Sequence, residues 1–242
     1  MRITRIYQPC QYVVGHDLSL SATASQHVSV VLRMRVGERL TLFSGEDIEA
    51  KVTIYAIDRK LVHVHIEDVY VVSLESPLAI HLVQAISKGE RMDLVIQKAS
   101  ELGVHSILPI ISEHCVVRLN AEQRAKKMSH WQAIAVSACE QSGRNRMPFI
   151  HPISTFAEQI ANNAHDNSVF LDPAASINFK QVCCPEMQVS VWVGPEGGFH
   201  ENERQAAITA GHALVSLGPR VLRTETAAIA AISVLQVLHG DL

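Results

Sequence analysis

The chain has 242 residues and five cysteines, Cys10, Cys115, Cys139, Cys183 and Cys184, an odd number that includes no CxxC pair. A disulfide framework and a thiolate zinc site are thereby excluded as organising devices, and free thiols in a reducing compartment are expected. None of its histidines falls in HExxH or another metal-ligand spacing. His63 and His65 share one strand face and read as a solvated pair, so no metal is expected. Neither GxGxxG nor GxxxxGK[ST] occurs, which excludes the common dinucleotide site and the P-loop. Long apolar runs are missing too: the most apolar stretch, Thr226 to Leu238, is too short to span a bilayer and contains Ser233 and Gln236. The opening MRITRIYQPC carries arginines but no apolar core of signal-peptide length. A cytoplasmic protein with no membrane partner is expected. Finally, 21 Lys and Arg face 24 Asp and Glu, a net charge of −3, so any RNA surface must be a local patch rather than a basic domain. Arg2, Arg5, Arg33, Arg35 and Arg39 are the candidates for that patch.

What is present is enough apolar material, 48% of residues, to fill a substantial core. Residues 1–72 read as a small β-rich module. Leu40 to Phe43, Ile48 to Ile57 and Leu61 to Val69 are β-branched-rich runs separated by Ser44-Gly45-Glu46-Asp47 and Asp58-Arg59-Lys60, the turn chemistry of a meander. Between Ser25 and Met34 the spacing of Val28, Val31 and Leu32 predicts a helical excursion. A linker near Val71 to Pro77 sets a boundary near residue 73. Beyond it, strand-like runs at Ala79 to Ala85, Ser106 to Ile111, Ser168 to Leu171, Val189 to Val193 and Ala213 to Leu217 alternate with helical patterns. Those patterns cover Arg91 to Leu102, Glu122 to Cys139, a short stretch within 151–167, a helix opening at His200, and Thr224 to Leu238. That alternation is the mark of an α/β domain with a largely parallel sheet.

Two glycine-bearing turns stand out, Gly194-Pro195-Glu196-Gly197-Gly198 and Leu217-Gly218-Pro219-Arg220, each after an apolar run and before a helical pattern. Glycine lets the backbone come close to a ligand, and proline stiffens the turn. Two such turns at the carboxyl ends of neighbouring strands would form one cleft suited to a flat ring. A third polar stretch, Glu140-Gln141-Ser142-Gly143-Arg144-Asn145-Arg146, is either a plain connection or a substrate loop. Lys98 and Glu101 sit three apart on one helix face, the spacing of a surface ion pair.

GPEGGF (194–199) followed by LGPRVLRTETAA (217–228) resembles the paired signature of the RsmE-type ribosomal RNA (uracil-N3) methyltransferases of the SPOUT superfamily. KGERMDLVIQKASELGV (88–104), EQSGR (140–144) and the opening Met1, Arg2, Arg5, Ile6 pattern extend the similarity over essentially the whole chain. The resemblance implies an α/β fold: a SPOUT-type knotted, largely parallel-sheet methyltransferase domain at 73–242, preceded by a small PUA-like β-barrel RNA-binding domain at 1–72. Chain-topology rules alone argue against a knot. It also implies S-adenosyl-L-methionine as cofactor, methylation of N3 of a uridine in 16S ribosomal RNA of the small ribosomal subunit, and a homodimer. Leu171, Gly194, Pro195, Glu196, Gly197, Gly198, Leu217, Gly218, Leu222, Arg223, Thr224 and Thr226 would then meet the cofactor. Arg2, Arg5, Arg33, Arg35, Lys88, Lys98 and Arg146 would meet RNA. Where the family usually has serine, His200 stands as a poorer N-cap.

Arg144 is the leading catalytic candidate. A guanidinium does not deprotonate in proteins, so it would stabilise a uracil anion rather than serve as base. The base is left open among Glu140, Glu225, a histidine and bulk hydroxide. A ribose 2′-O-methyltransferase and a noncatalytic RNA-binding protein are the competing readings. On the sequence alone, Arg144→Ala is expected to lower turnover with cofactor affinity nearly unchanged, and Gly197→Val to abolish cofactor binding.

Overall fold

A computed structural model describes residues 4–162, 167–182 and 186–242; Arg2, Cys183 and Cys184 lie outside them. The chain forms two compact units. The first joins residues 1–75 to 136–147, and the second joins 76–135 to 148–242. A segment of twelve residues therefore returns to the first unit after the chain has left it, where a single cut near residue 73 allows none.

In the first unit, β1 (Arg5–Tyr7), β2 (Asp17–Ser19), β3 (Arg39–Phe43), β4 (Ile48–Asp58) and β5 (Leu61–Val71) make a sheet of order β1-β3-β4-β5-β2. Alternation along the two long strands decides which face is buried. Val52 pairs with Ile66 and Ile54 with Val64 in register, and all four are buried, while His65 points outward. His63 meets Ser19, and His65 meets Asp17, both on the outward side. The expected helical excursion is a short helix, α1 (Ala22–Gln26), running into a π-helical turn, His27–Val31. Only Val28 of the three predicted positions is buried; Val31 and Leu32 are exposed, because the wider turn swings them off the core face.

The second unit is an eight-stranded sheet. Its strands are β6 (Ala79–Ala85), β7 (Ser106–Ile111), β8 (Phe149–Ile150), β9 (Ser154–Thr155), β10 (Ser168–Leu171), β11 (Ile177–Asn178), β12 (Gln188–Val193) and β13 (Ala213–Ser216). The order is β11-β13-β10-β12-β6-β7-β8, with β9 also on β7, and the pairings are parallel. The intervening helices are α2 (Arg91–Glu101), α3 (Ala121–Ser142), α4 (Phe156–Asn162), α5 (Glu201–Thr209) and α6 (Thr224–His239). Helix α3 runs three residues past the predicted end, through Glu140, Gln141 and Ser142, and its residues from Val136 onward belong to the first unit. In α2, Met92, Val95, Ile96 and Ala99 form the buried stripe that the 3.6-residue period demands. Phe156, Phe170, Trp192 and Ala207 pack with Val83 and Ile110 into an aromatic-rich core cluster.

His212 borders that cluster, its ring 5.1 Å from that of Trp192. It is buried, and neither ring nitrogen has a hydrogen-bond partner among the described residues. Burial holds its imidazole below the ordinary value, and burial does the same to His151. A base depressed in the folded state takes up its proton more readily when unfolded. Its contribution is therefore complete above the unfolded value of about 6.5 and declines as the pH falls below that. The melting temperature should drop between pH 7 and 5, and His212→Phe, which keeps a ring but takes no proton, should flatten part of that drop. A variant as steep as the parent would rule His212 out as a source.

Candidate active site

Three loops leave the carboxyl ends of β10, β12 and β13 and enclose a cleft of about 480 Å³. The two glycine turns do not follow adjacent strands: β10 lies between β12 and β13, and its own loop, Leu171-Asp172-Pro173, fills the gap between them. Such a crevice at the carboxyl edge of parallel strands is the usual ligand position in this fold class. Its walls are apolar where Leu171, Val193, Val215, Leu217 and Leu222 face it. Its mouth is backbone, at Gly194, Pro195, Gly198 and Gly218. Gly218 has φ +97° and a Cβ there would meet nothing within 4 Å, so the missing side chain leaves open space beside the main chain.

Charged groups at the cleft are mostly paired. Asp172 binds the guanidinium of Arg204, and Glu196 that of Arg91. Burial pushes the Glu196 carboxyl up, but hydrogen bonds from backbone N–H groups, that of Lys88 among them, and from Arg91 outweigh it and hold it below its ordinary value. Arg220 and Arg223 also line the cleft.

The first turn of α6 is fixed by one hydroxyl. Thr224 Oγ1 donates to the Gly194 carbonyl at 2.6 Å and accepts from Gln84 Nε2 at 2.9 Å. Arg223 occupies the N-cap position without a side-chain cap, so Thr224 is a tie between α6, β6 and the first glycine turn rather than a cap. At α5, His200 does cap: its Nδ1 accepts from Asn202 N–H at 3.2 Å, and Glu203 returns a bond to His200 N–H at 2.9 Å. The other Glu203 oxygen accepts from Glu113 N–H at 2.9 Å, which brings the loop after β7 beside GPEGGF.

Of the residues singled out for the cofactor, Leu171, Gly194, Pro195, Glu196, Gly198, Leu217, Gly218, Leu222, Arg223 and Thr224 line this cleft. Gly197 faces a second, adjoining cleft, and a Cβ there would lie 3.3 Å from His114 Cβ. Thr226 is exposed on α6. Glu225 lies in the first turn of α6 with one buried carboxylate oxygen that has no partner among the described residues. Asp172 and Arg220 line the cleft from loops that the sequence places there, whereas Arg91 and Arg204 reach it from α2 and α5 and carry no signal in the sequence beyond Arg91's place in 88–104.

Glu140, Arg144 and Arg146 fall in the first unit, whereas every residue of the cleft falls in the second. Arg144 is 5% exposed and forks onto Glu75, Nε to Oε1 at 2.7 Å and Nη2 to Oε2 at 2.6 Å. Asn145 donates to the Val72 carbonyl and accepts from Arg5, which also pairs with Glu49 and stacks on Phe43. Arg146 binds Asp47, and Glu140 accepts from Tyr7 N–H. Burial raises the Glu140 carboxyl, and the Tyr7 bond opposes that in part. These residues staple 136–147 to the five-stranded sheet. Arg33 and Arg35 stand exposed, Lys88 is exposed at the second cleft, and Lys98 forms the helix-surface pair with Glu101 at 2.9 Å. Among the described residues, no group of three or more His, Cys, Asp or Glu is placed to hold a metal, and no helix is long and apolar enough to cross a membrane.

A strand-end cleft walled by glycine turns marks the second unit as a small-molecule-binding α/β domain. Residues 74–236 match the model of an RNA methyltransferase domain, and residues 25–67 that of an RNA methyltransferase PUA domain. Ribosomal RNA small subunit methyltransferase E of Buchnera aphidicola is 36% identical over 100% of this chain and 98% of its own length. A protein from Legionella pneumophila, solved in complex with the bound cofactor SAM, superposes with TM-score 0.98 at 47% identity, covering 100% of both chains. Ribosomal RNA small subunit methyltransferase E of Neisseria gonorrhoeae, solved with S-adenosyl methionine, superposes with TM-score 0.92 at 38% identity, again over 100% of both. The chain belongs to the RNA methyltransferase family that contains ribosomal RNA small subunit methyltransferase E.

Two substitutions test the local argument. Thr224→Val keeps shape but strands the Gly194 carbonyl, and should cost about 1–3 kcal/mol in urea unfolding, with Thr224→Ser losing less. Arg144→Ala leaves Glu75 unpaired in a largely buried position and should cost about 3–5 kcal/mol, so its stability must be measured before any loss of turnover is read as chemistry.

Proposed function

We propose that this protein transfers a methyl group from S-adenosyl-L-methionine to N3 of a uridine in 16S ribosomal RNA of the small ribosomal subunit. The observation that carries the reading is the glycine-mouthed cleft at the ends of β10, β12 and β13, in a chain whose close relatives are solved with that cofactor. The residues fit the group. Apolar walls suit a purine, backbone groups at Gly194, Leu217 and Gly218 can read its edge, and a cleft of about 480 Å³ is within the range of about 300–1,000 Å³ usual for such ligands. Arg220 and Arg223 offer donors to the cofactor's carboxylate.

The bound cofactor supplies an electrophilic methyl on sulfur. The chain's own task is to hold the acceptor nitrogen in line and to remove its proton, and positioning accounts for most of the acceleration. Because the acceptor edge of a paired base is hidden, the target uridine is read as single-stranded or splayed out. Arg33 and Arg35 of the PUA-like unit, with Lys88 and Arg146, are the proposed RNA contacts. Arg144, sealed against Glu75, serves in this reading to hold its loop. The family likeness further supports a trefoil knot in the second unit, a homodimer and a cytoplasmic location. Exposed Val237, Leu238 and Leu242 at the chain's end provide apolar surface for such a dimer to cover.

Purified protein, labelled S-adenosylmethionine and small subunits from a strain lacking the enzyme should yield N3-methyluridine on nucleoside analysis. Label in a 2′-O-methyl nucleoside would overturn the acceptor assignment. Gly218→Val forces a branched side chain into a left-handed turn at the cleft mouth, and should weaken cofactor binding at least tenfold by calorimetry.

A further inference from the structure

Beside the cofactor cleft lies a second opening of about 900 Å³, and the two share Arg91 and Glu196. They adjoin at Glu196, with Gly198 lining the first and Gly197 the second. Lys88 brings a cation to this second cleft, Leu94 and Val116 bring exposed apolar surface, and His114 brings an imidazole. The imidazole is not free to choose its tautomer. Its Nδ1 lies 3.2 Å from the Gly197 carbonyl oxygen and 3.1 Å from that of Gly198, and both oxygens can only accept. Nδ1 therefore carries the proton, and in the neutral ring Nε2 is left as an acceptor. Gly197 eases this approach, since a Cβ there would stand 3.3 Å from His114 Cβ and 3.6 Å from its ring atoms Cγ and Nδ1.

Resting on the methyltransferase reading above, we propose that the second cleft seats the acceptor uridine and that His114 Nε2 takes the proton from its N3. A cation suits the nucleotide's phosphate, the apolar pair suits the face of a base, and an acceptor nitrogen suits the one N–H that uracil must lose. In the step, the N3–H bond breaks and its proton passes to Nε2. The electron pair left on N3 forms the new bond to the methyl carbon as the carbon–sulfur bond breaks toward sulfur. The imidazolium is held by the same two carbonyls, and it returns the proton to solvent from its exposed position. His200, with its ring 5.5 Å away, the adjoining Glu113, and Lys88, Glu90, Arg91 and Glu196 along the cleft are the charged and titratable groups around it.

The test pairs a ring measurement with a variant. In the full-length protein, 15N signals of His114 should show a protonated Nδ1 and a bare Nε2, and the Nε2 signal should move when uridine 5′-monophosphate is added. His114→Asn keeps an amide donor near the two carbonyls but removes the distal acceptor. Its single-turnover rate on small subunits should fall about 100-fold or more, with S-adenosylmethionine affinity within twofold of the parent. A bare Nδ1, an Nε2 signal unmoved by the nucleotide, or a variant within threefold of the parent would overturn the assignment. Should the parent itself form no N3-methyluridine, the underlying methyltransferase reading is what fails. If the variant does not fold, the ring measurement on the parent decides alone.

Discussion

The hydroxyl of Thr224 is the contact on which the cleft at the ends of β10, β12 and β13 most depends. It joins the carbonyl of Gly194, at the end of β12, to the amide of Gln84, fully buried on β6, and it does so from the first residue of α6. Without it, a half-buried carbonyl at the base of the first glycine turn would lose its partner, and an orphan of this kind costs about 1–3 kcal/mol. The same bond sets where α6 begins, and so where Leu222 and Arg223 enter the cleft.

A second tie works from the opposite side of the first glycine turn. Glu203 uses one carboxylate oxygen to close the N-terminus of α5 and the other to hold the backbone of Glu113. His114, the next residue, is thereby laid against Gly197 and Gly198. Within the GPEGG turn, Gly198 thus lines the strand-end cleft, Gly197 lines the adjoining one, and Glu196 lines both. A turn with glycine at several positions is needed because both faces must be approached closely by something other than its own side chains.

In the first unit, a polar network replaces what would otherwise be apolar packing. Arg144, Asn145, Arg146 and Glu140 each find a partner on the five-stranded sheet, in its β3–β4 turn or in the segment that leaves β5, namely Glu75, Val72, Asp47 and Tyr7. A buried bidentate pair is a weak source of net stability but a strong source of specificity, because a misplaced chain would leave a charge unpaired. The network fixes where residues 136–147 return. A motif that looks like exposed substrate chemistry is, in this fold, mostly engaged with its own sheet.

Local chemistry made much of this legible in advance. β-Branched runs divided by turn residues marked the meander, and alternating strand and helix patterns marked the parallel sheet. Glycine turns after apolar runs marked the cleft, because backbone that must approach a ligand has few residue types to choose from. What the chain alone could not reveal were partners distant in sequence: Thr224 with Gln84, Arg144 with Glu75, Glu203 with Glu113, and His114 with Gly197. Nor could it reveal that β10 separates β12 from β13. Periodicity reports which face of an element is buried, but not which element covers it. Sequence thus determined the elements, the turns and the family of the site. Only tertiary structure decided which charged groups are consumed by one another, because that depends on strand order and on where each loop lands.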